Sequence, residues 1–120
     1  MKNNLLYPEL SYQIVGICFS VHNELGRFSR EKQYSNLIEV KLKEKGIKYK
    51  KELPISITGN KVDFLVEDKI ILELKTVRAI SKDDYRQTQR YLQATGIELG
   101  LLINFRNKYL TPKRILRVTK

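Results

Sequence analysis

The sequence predicts an α/β fold, a small mixed β-sheet flanked by helices in the order ααβββαβ(β). Three observations lead there. Apolar residues first recur at helical spacing; after Gly46 the period drops to two; after Ser81 the helical period returns, ahead of a nearly all-apolar run at Leu99–Asn104. The length of 120 residues suits one domain, 1–120, and leaves little room for a second core. Apolar residues make up 42 %, ordinary for a globular chain and too many for a disordered one.

Each element has its own signal. Leu10, Ile14, Ile17, Cys18, Val21 and Leu25 form one stripe of a first helix over 10–25, and Gly26 ends it with left-handed geometry open to it. Ser29 is the expected cap of a second helix starting near Arg30, with Tyr34, Leu37, Ile38 and Leu42 inward and Gly46 as its stop. Lys48–Lys51 and Leu53–Thr58 read as extended, and Pro54 assigns them to an edge or a bend. Gly59-Asn60 signals a turn. Lys61–Val66 and Ile70–Val77 read as strands joined by Glu67-Asp68-Lys69. Ser81 with Asp84 forms a capping box, and the helix it opens runs to about Thr95, where Gly96 stops it. Leu99–Asn104 suits a strand buried on both faces, and Arg114–Val118 a last edge strand.

Composition excludes several functions. A single cysteine, Cys18, rules out a disulfide framework and multi-Cys zinc sites, and the single His22 rules out His-rich metal centres. No apolar run approaches the ~18 residues of a membrane span, and the first eight residues lack a signal-peptide core. A soluble, cytoplasmic protein without a membrane partner is the expectation. The net charge of +10 points to a polyanion. It is carried by two blocks of +6, residues 27–51 and 104–120, while residues 52–103 sum to −1. A substrate groove requires the two blocks to meet in space; otherwise they serve solubility.

Three carboxylates break the hydrophobic pattern. Asp63 lies between Val62 and Phe64, Glu73 between Leu72 and Leu74, and Glu31 on the apolar side of its helix. A buried carboxylate needs a proton, a cation or several donors. Alternation sets Ile71, Glu73 and Lys75 on one strand face. With a three-residue loop at 67–69, Asp63 stands opposite Glu73, their Cβ atoms roughly 4.5–5.5 Å apart. A two-residue loop would send Asp63 to the other face. Mg²⁺ suits such a gap, since it takes one or two carboxylates plus waters and phosphate oxygens. Lys75 projects beside it, where it would steady an attacking water or the attacked phosphate. A Glu73–Lys75 or Asp63–Lys75 ion pair on a solvated sheet face is the simpler account of any one of these residues. Their joint occurrence favours a site.

These residues resemble the signature of the PD-(D/E)XK nuclease superfamily: Asp63, then Glu73-Leu74-Lys75 on the next strand, with Glu31 on a helix before them. More closely, the chain resembles the small GxxExxY family of that superfamily. The supporting stretches are Val21-His22-Asn23-Glu24-Leu25-Gly26, Glu31-Lys32-Gln33-Tyr34, Val62 to Lys75, Gln87 with Tyr91, and Gly96 to Phe105. They span roughly residues 10–118. Val62 stands in place of the superfamily's Pro, and Phe28 in place of the family's Gly.

The resemblance implies a restriction-endonuclease-like core and a metal-dependent nuclease. Asp63 and Glu73 would be Mg²⁺ ligands, with Mn²⁺ as a substitute, and Lys75 the catalytic lysine. Glu31 would complete the acidic site from the helix, and Gln87 matches a glutamine often found near it, a plain surface helix glutamine being the equal alternative. His22 reads as a structural hydrogen-bonding residue bordering it, Tyr34 and Tyr91 as packing residues, Cys18 as core and Glu24 as structural or solvated. The leading function is Mg²⁺-dependent hydrolysis of DNA, selective for structure rather than sequence, with a homodimer compatible with cutting two strands. The alternatives are a catalytically silent nucleic-acid-binding module and a protein-interaction domain with a basic surface.

Overall fold

Two helices, a three-strand meander, a third helix and two further strands follow one another in the computed structural model, which describes residues 5–55 and 59–118. The expected α/β class and element order are both present. Helix α1 spans Pro8–Leu25 and α2 Glu31–Glu44. Strands β1 (Tyr49–Pro54), β2 (Lys61–Val66) and β3 (Ile70–Lys75) come next. Helix α3 (Lys82–Thr95), β4 (Leu99–Asn104) and β5 (Lys113–Leu116) complete the chain. The strands form one sheet in sequence order; β3 and β4 are parallel across the α3 crossover, and the other pairs are antiparallel.

The sheet separates two cores. Alternation sends Phe64, Val66, Ile70, Leu72, Leu74, Leu99, Leu101 and Ile103 against α1 and α2. Leu65, Ile71, Leu102 and Ile115 meet Tyr91 and Leu92 of α3 on the other side. Every residue of β4 is buried, as its apolar run predicts. Cys18 and Tyr34 are fully buried, and Tyr91 nearly so, so all three serve packing as expected.

Several boundaries differ from the sequence reading, each for a local reason. Helix α1 begins two residues early because Pro8 takes the first turn, where its missing N–H costs nothing. Gly26 ends it with φ 75° and ψ −163°, outside the left-handed helical region. Ser29 does not cap α2: its hydroxyl donates to the Leu25 carbonyl, and the Gln33 side chain instead accepts the Arg30 N–H at 2.9 Å. Strand β3 stops at Lys75 rather than Val77 because the Asn104 carboxamide takes both backbone groups of Val77. β1 is a single edge strand ending at Pro54; the extended reading of residues 56–58 lies outside the described residues. The last strand falls at Lys113–Leu116. The Ser81/Asp84 capping box is present in both directions. No helix among the described residues is long and apolar enough to cross a membrane.

Tyr34 fixes the α1–α2 connection. Its ring stacks on Phe105 at 4.4 Å, and its hydroxyl donates to the Gly26 carbonyl and accepts the Ser29 N–H. Tyr34→Phe strands these two backbone groups and is expected to cost about 1–2 kcal/mol. Thermal unfolding followed by circular dichroism should place its midpoint roughly 5–10 °C lower. A midpoint within about 1 °C of wild type would remove the hydroxyl from this role.

Candidate active site

All the carboxylates singled out in the sequence lie at one end of the sheet. The β2–β3 register pairs Val66 with Ile70, Leu65 with Ile71 and Phe64 with Leu72, so the connecting loop is the three residues 67–69. One step further Asp63 stands opposite Glu73, and the backbone ladder gives way to side chains. Glu73 Oε2 accepts the Asp63 N–H at 2.8 Å, and Asp63 Oδ2 accepts the Leu74 N–H at 2.8 Å. Each strand is thus held by the other's carboxylate.

The helices bring in the remaining groups. Glu31 opens α2 and lines a cleft with Lys32, Lys51, Glu52 and Asp63. Its place on the helix departs from expectation in one respect: it is exposed, at the rim, rather than buried under the apolar stripe. On the opposite side Lys75 Nζ reaches α3, 3.4 Å from Asp84 Oδ1 and 3.4 Å from Gln87 Oε1. Gln87 therefore touches Lys75. His22 borders the region through a 2.9 Å bond between Nε2 and the Asn107 carbonyl. Glu24 is taken up by Lys41.

Too much negative charge converges here for one lysine. Burial and then the Asp63 charge push the Glu73 carboxyl up to about 8, while the Asp63 N–H and Lys75 pull the other way. Glu73 is 4 % exposed, so it has little solvent to help it ionise. Asp63 is also raised, by burial against the opposing Leu74 N–H and Lys75, with Glu52 adding repulsion. Glu31, at the rim, is raised by the partial loss of solvent where it borders the cleft and then by Asp63, and Lys75 lowers it. Asp84 goes the other way: burial opposes its ionisation, but the Ser81 N–H bond and Lys75 prevail and lower it.

Two of these residues carried no signal in the sequence. Glu52 looks like an edge-strand charge, yet it sits at φ 55° beside Asp63 in the cleft. Asp84 reads as a local cap, yet its second oxygen meets Lys75.

The chemistry of the donors fits a hard divalent cation. Asp63 and Glu73 each spend one oxygen on a strand N–H, and the other is available. All-oxygen donors with an excess of negative charge select Mg²⁺- or Mn²⁺-like ions over softer ones. Among the described residues no group of three or more Asp, Glu, His or Cys side chains is placed to hold a metal ion. Two carboxylates completed by water and phosphate oxygens are the compatible arrangement.

The basic blocks meet only in part. Arg27, Arg30 and Lys32 precede or open α2, and Arg106 and Lys108 follow the end of β4, all at the site's end of the sheet. Lys48 lies instead by the β2–β3 loop, where its N–H binds Glu67, and Arg114 reaches back to Leu6 and Ser11 at the start of α1. Each block is thus divided between the two ends of the sheet.

A family model described as the PD-(D/E)XK nuclease superfamily matches residues 8–118. No curated protein and no solved structure matches.

Proposed function

The chain belongs to the PD-(D/E)XK nuclease superfamily, and from that premise we propose that it is a Mg²⁺-dependent nuclease hydrolysing DNA phosphodiester bonds, with Mn²⁺ as a substitute. The observation that carries this reading is the juxtaposition of Asp63 and Glu73 at the parting of β2 and β3, with Lys75 on the same strand. A finer assignment, to the GxxExxY family, is part of the same proposal and rests on the ordered stretches from Val21 to Phe105.

Asp63 and Glu73 would hold the cation, which supplies Lewis-acid polarisation of the phosphate and a nucleophile at neutral pH. Lys75 places its positive charge beside the phosphate and offsets the charge that develops on its oxygens. Gln87 and Asp84 hold the ammonium from the α3 side, so its position does not depend on substrate. Glu31 sits at the rim, where it can orient a water or accept its proton. Arg27, Arg30, Lys32, Arg106 and Lys108 would grip backbone phosphates and carry no base information.

Nicking of supercoiled plasmid should therefore require a divalent cation and stop on chelation. DNA binding measured with chelator present should weaken steeply as salt rises, with little dependence on sequence. A second reading has its own support. The bonds from Asp63 and Glu73 to strand N–H groups give both residues a structural role, which a silent nucleic-acid-binding module would also need. Salt-sensitive binding without cleavage in either cation would select that module.

A further inference from the structure

Two loops beside the carboxylates present aromatic rings to solvent under cations. Phe28, between α1 and α2, is 74 % exposed. The Arg27 guanidinium lies 4.7 Å from its ring centroid and that of Arg106 5.7 Å. Arg27 Nε donates to the Arg106 carbonyl at 2.8 Å, which ties the two loops together. On the second loop Tyr109 is 76 % exposed, with Lys108 Nζ 5.5 Å from its centroid. Neither ring contributes to either core. Packing therefore does not explain them.

Their position is fixed by the chain. Phe28 precedes Glu31 by three residues, so their Cα atoms lie within about 11 Å. Arg106 follows by two residues Asn104, which pairs with Lys75 across β3 and β4. At such exposure most of the Phe28 surface stays open to solvent beside its two cations.

We propose that Phe28, flanked by Arg27 and Arg106, stacks an unpaired base of the substrate strand near the cleaved phosphate. This rests on the nuclease reading and adds a preference to it: single-stranded or frayed DNA over continuous duplex. The guanidiniums draw in the phosphates, and the ring supplies a π-surface that any base accepts. Inside a duplex both faces of each base are already covered by neighbours, so only an unpaired base offers itself. Tyr109 with Lys108 provides a second, similar platform on the adjoining loop.

The test uses the full chain with EDTA, so that no cleavage intervenes. Fluorescence anisotropy compares a labelled single strand of about 12 nucleotides, an abasic strand of equal length and a blunt duplex. Phe28→Ala is expected to weaken single-strand binding by about five- to twenty-fold, leaving abasic and duplex binding within about two-fold. Phe28→Trp should retain or tighten it, and Arg106→Ala should weaken all three. Unchanged single-strand binding in Phe28→Ala, an equal loss on all three probes, or no binding of any probe by wild type would overturn the proposal. Cleavage by wild type in Mg²⁺ is scored separately. Phe28-dependent binding without cleavage sinks the nuclease reading and leaves the stacking site; cleavage with Phe28-independent binding sinks the stacking site alone.

Discussion

Glu73→Gln is expected to reduce Mg²⁺-dependent cleavage by about 10²–10⁴-fold while leaving the fold and DNA binding intact. The magnitude follows from what a carboxylate ligand supports: Lewis-acid stabilisation is worth several kcal/mol, and each 1.36 kcal/mol is tenfold in rate. The fold should survive because the amide keeps the shape and the acceptor oxygen that receives the Asp63 N–H. Without a cation the Glu73 carboxyl, pushed up to about 8, already carries a proton through most of the neutral range, and glutamine imitates that form. Initial rates of plasmid nicking at saturating Mg²⁺ provide the measurement, with anisotropy in EDTA as the control for binding. Cutting within tenfold of wild type would remove Glu73 from the machinery. Loss of binding together with cutting would make the residue structural rather than catalytic.

The site was legible where it depended on strand periodicity. Alternation in Ile70–Lys75 and a three-residue loop sufficed to set Asp63 against Glu73, because a loop one residue shorter would have turned Asp63 to the other face of the sheet. The helical turn that carries Gln87 to Lys75 follows from the Ser81 cap, which fixes where α3 begins. Other features needed the third dimension. Ser29 has the composition of a cap, but its hydroxyl turned back to Leu25 once Tyr34 had fixed the loop. Glu52 acquires its place through a positive φ on an edge strand, a backbone choice that nothing in Lys51-Glu52-Leu53 announces. Charge was the least legible quantity. Residues 27–51 form one basic run in sequence, yet α2 carries the chain from the cleft to Lys48 at the far end of the sheet, and β1 returns Lys51 to the cleft. What gathers at the site is part of each run, brought together by the return of β4 beside β3.

The same carboxylates should make the metal-free protein lose stability as pH rises. The Glu73 carboxyl binds its proton more tightly in the folded chain, at about 8, than at its ordinary 4.5 in an unfolded one. Between those values the folded state holds more protons, so unfolding free energy falls with pH and levels off above about 8. The decline should amount to a few kcal/mol, shared with Asp63, whose carboxyl is raised in the same direction. In EDTA the urea midpoint should therefore be highest near pH 5 and drop steadily to pH 8. Glu73→Gln should flatten most of that slope, ending more stable than wild type at pH 8 though inactive. Mg²⁺ should restore wild type far more at pH 8 than at pH 5, because cation and proton compete for the same oxygens and stabilisation grows with the ratio of ligand concentration to Kd. A flat wild-type profile in EDTA, or equal Mg²⁺ stabilisation of Glu73→Gln, would break the link between the repulsion and a cation. If the link holds, the instability of the empty site and its affinity for a divalent ion have one cause, acidic groups at the β2–β3 fork with too little positive charge of their own.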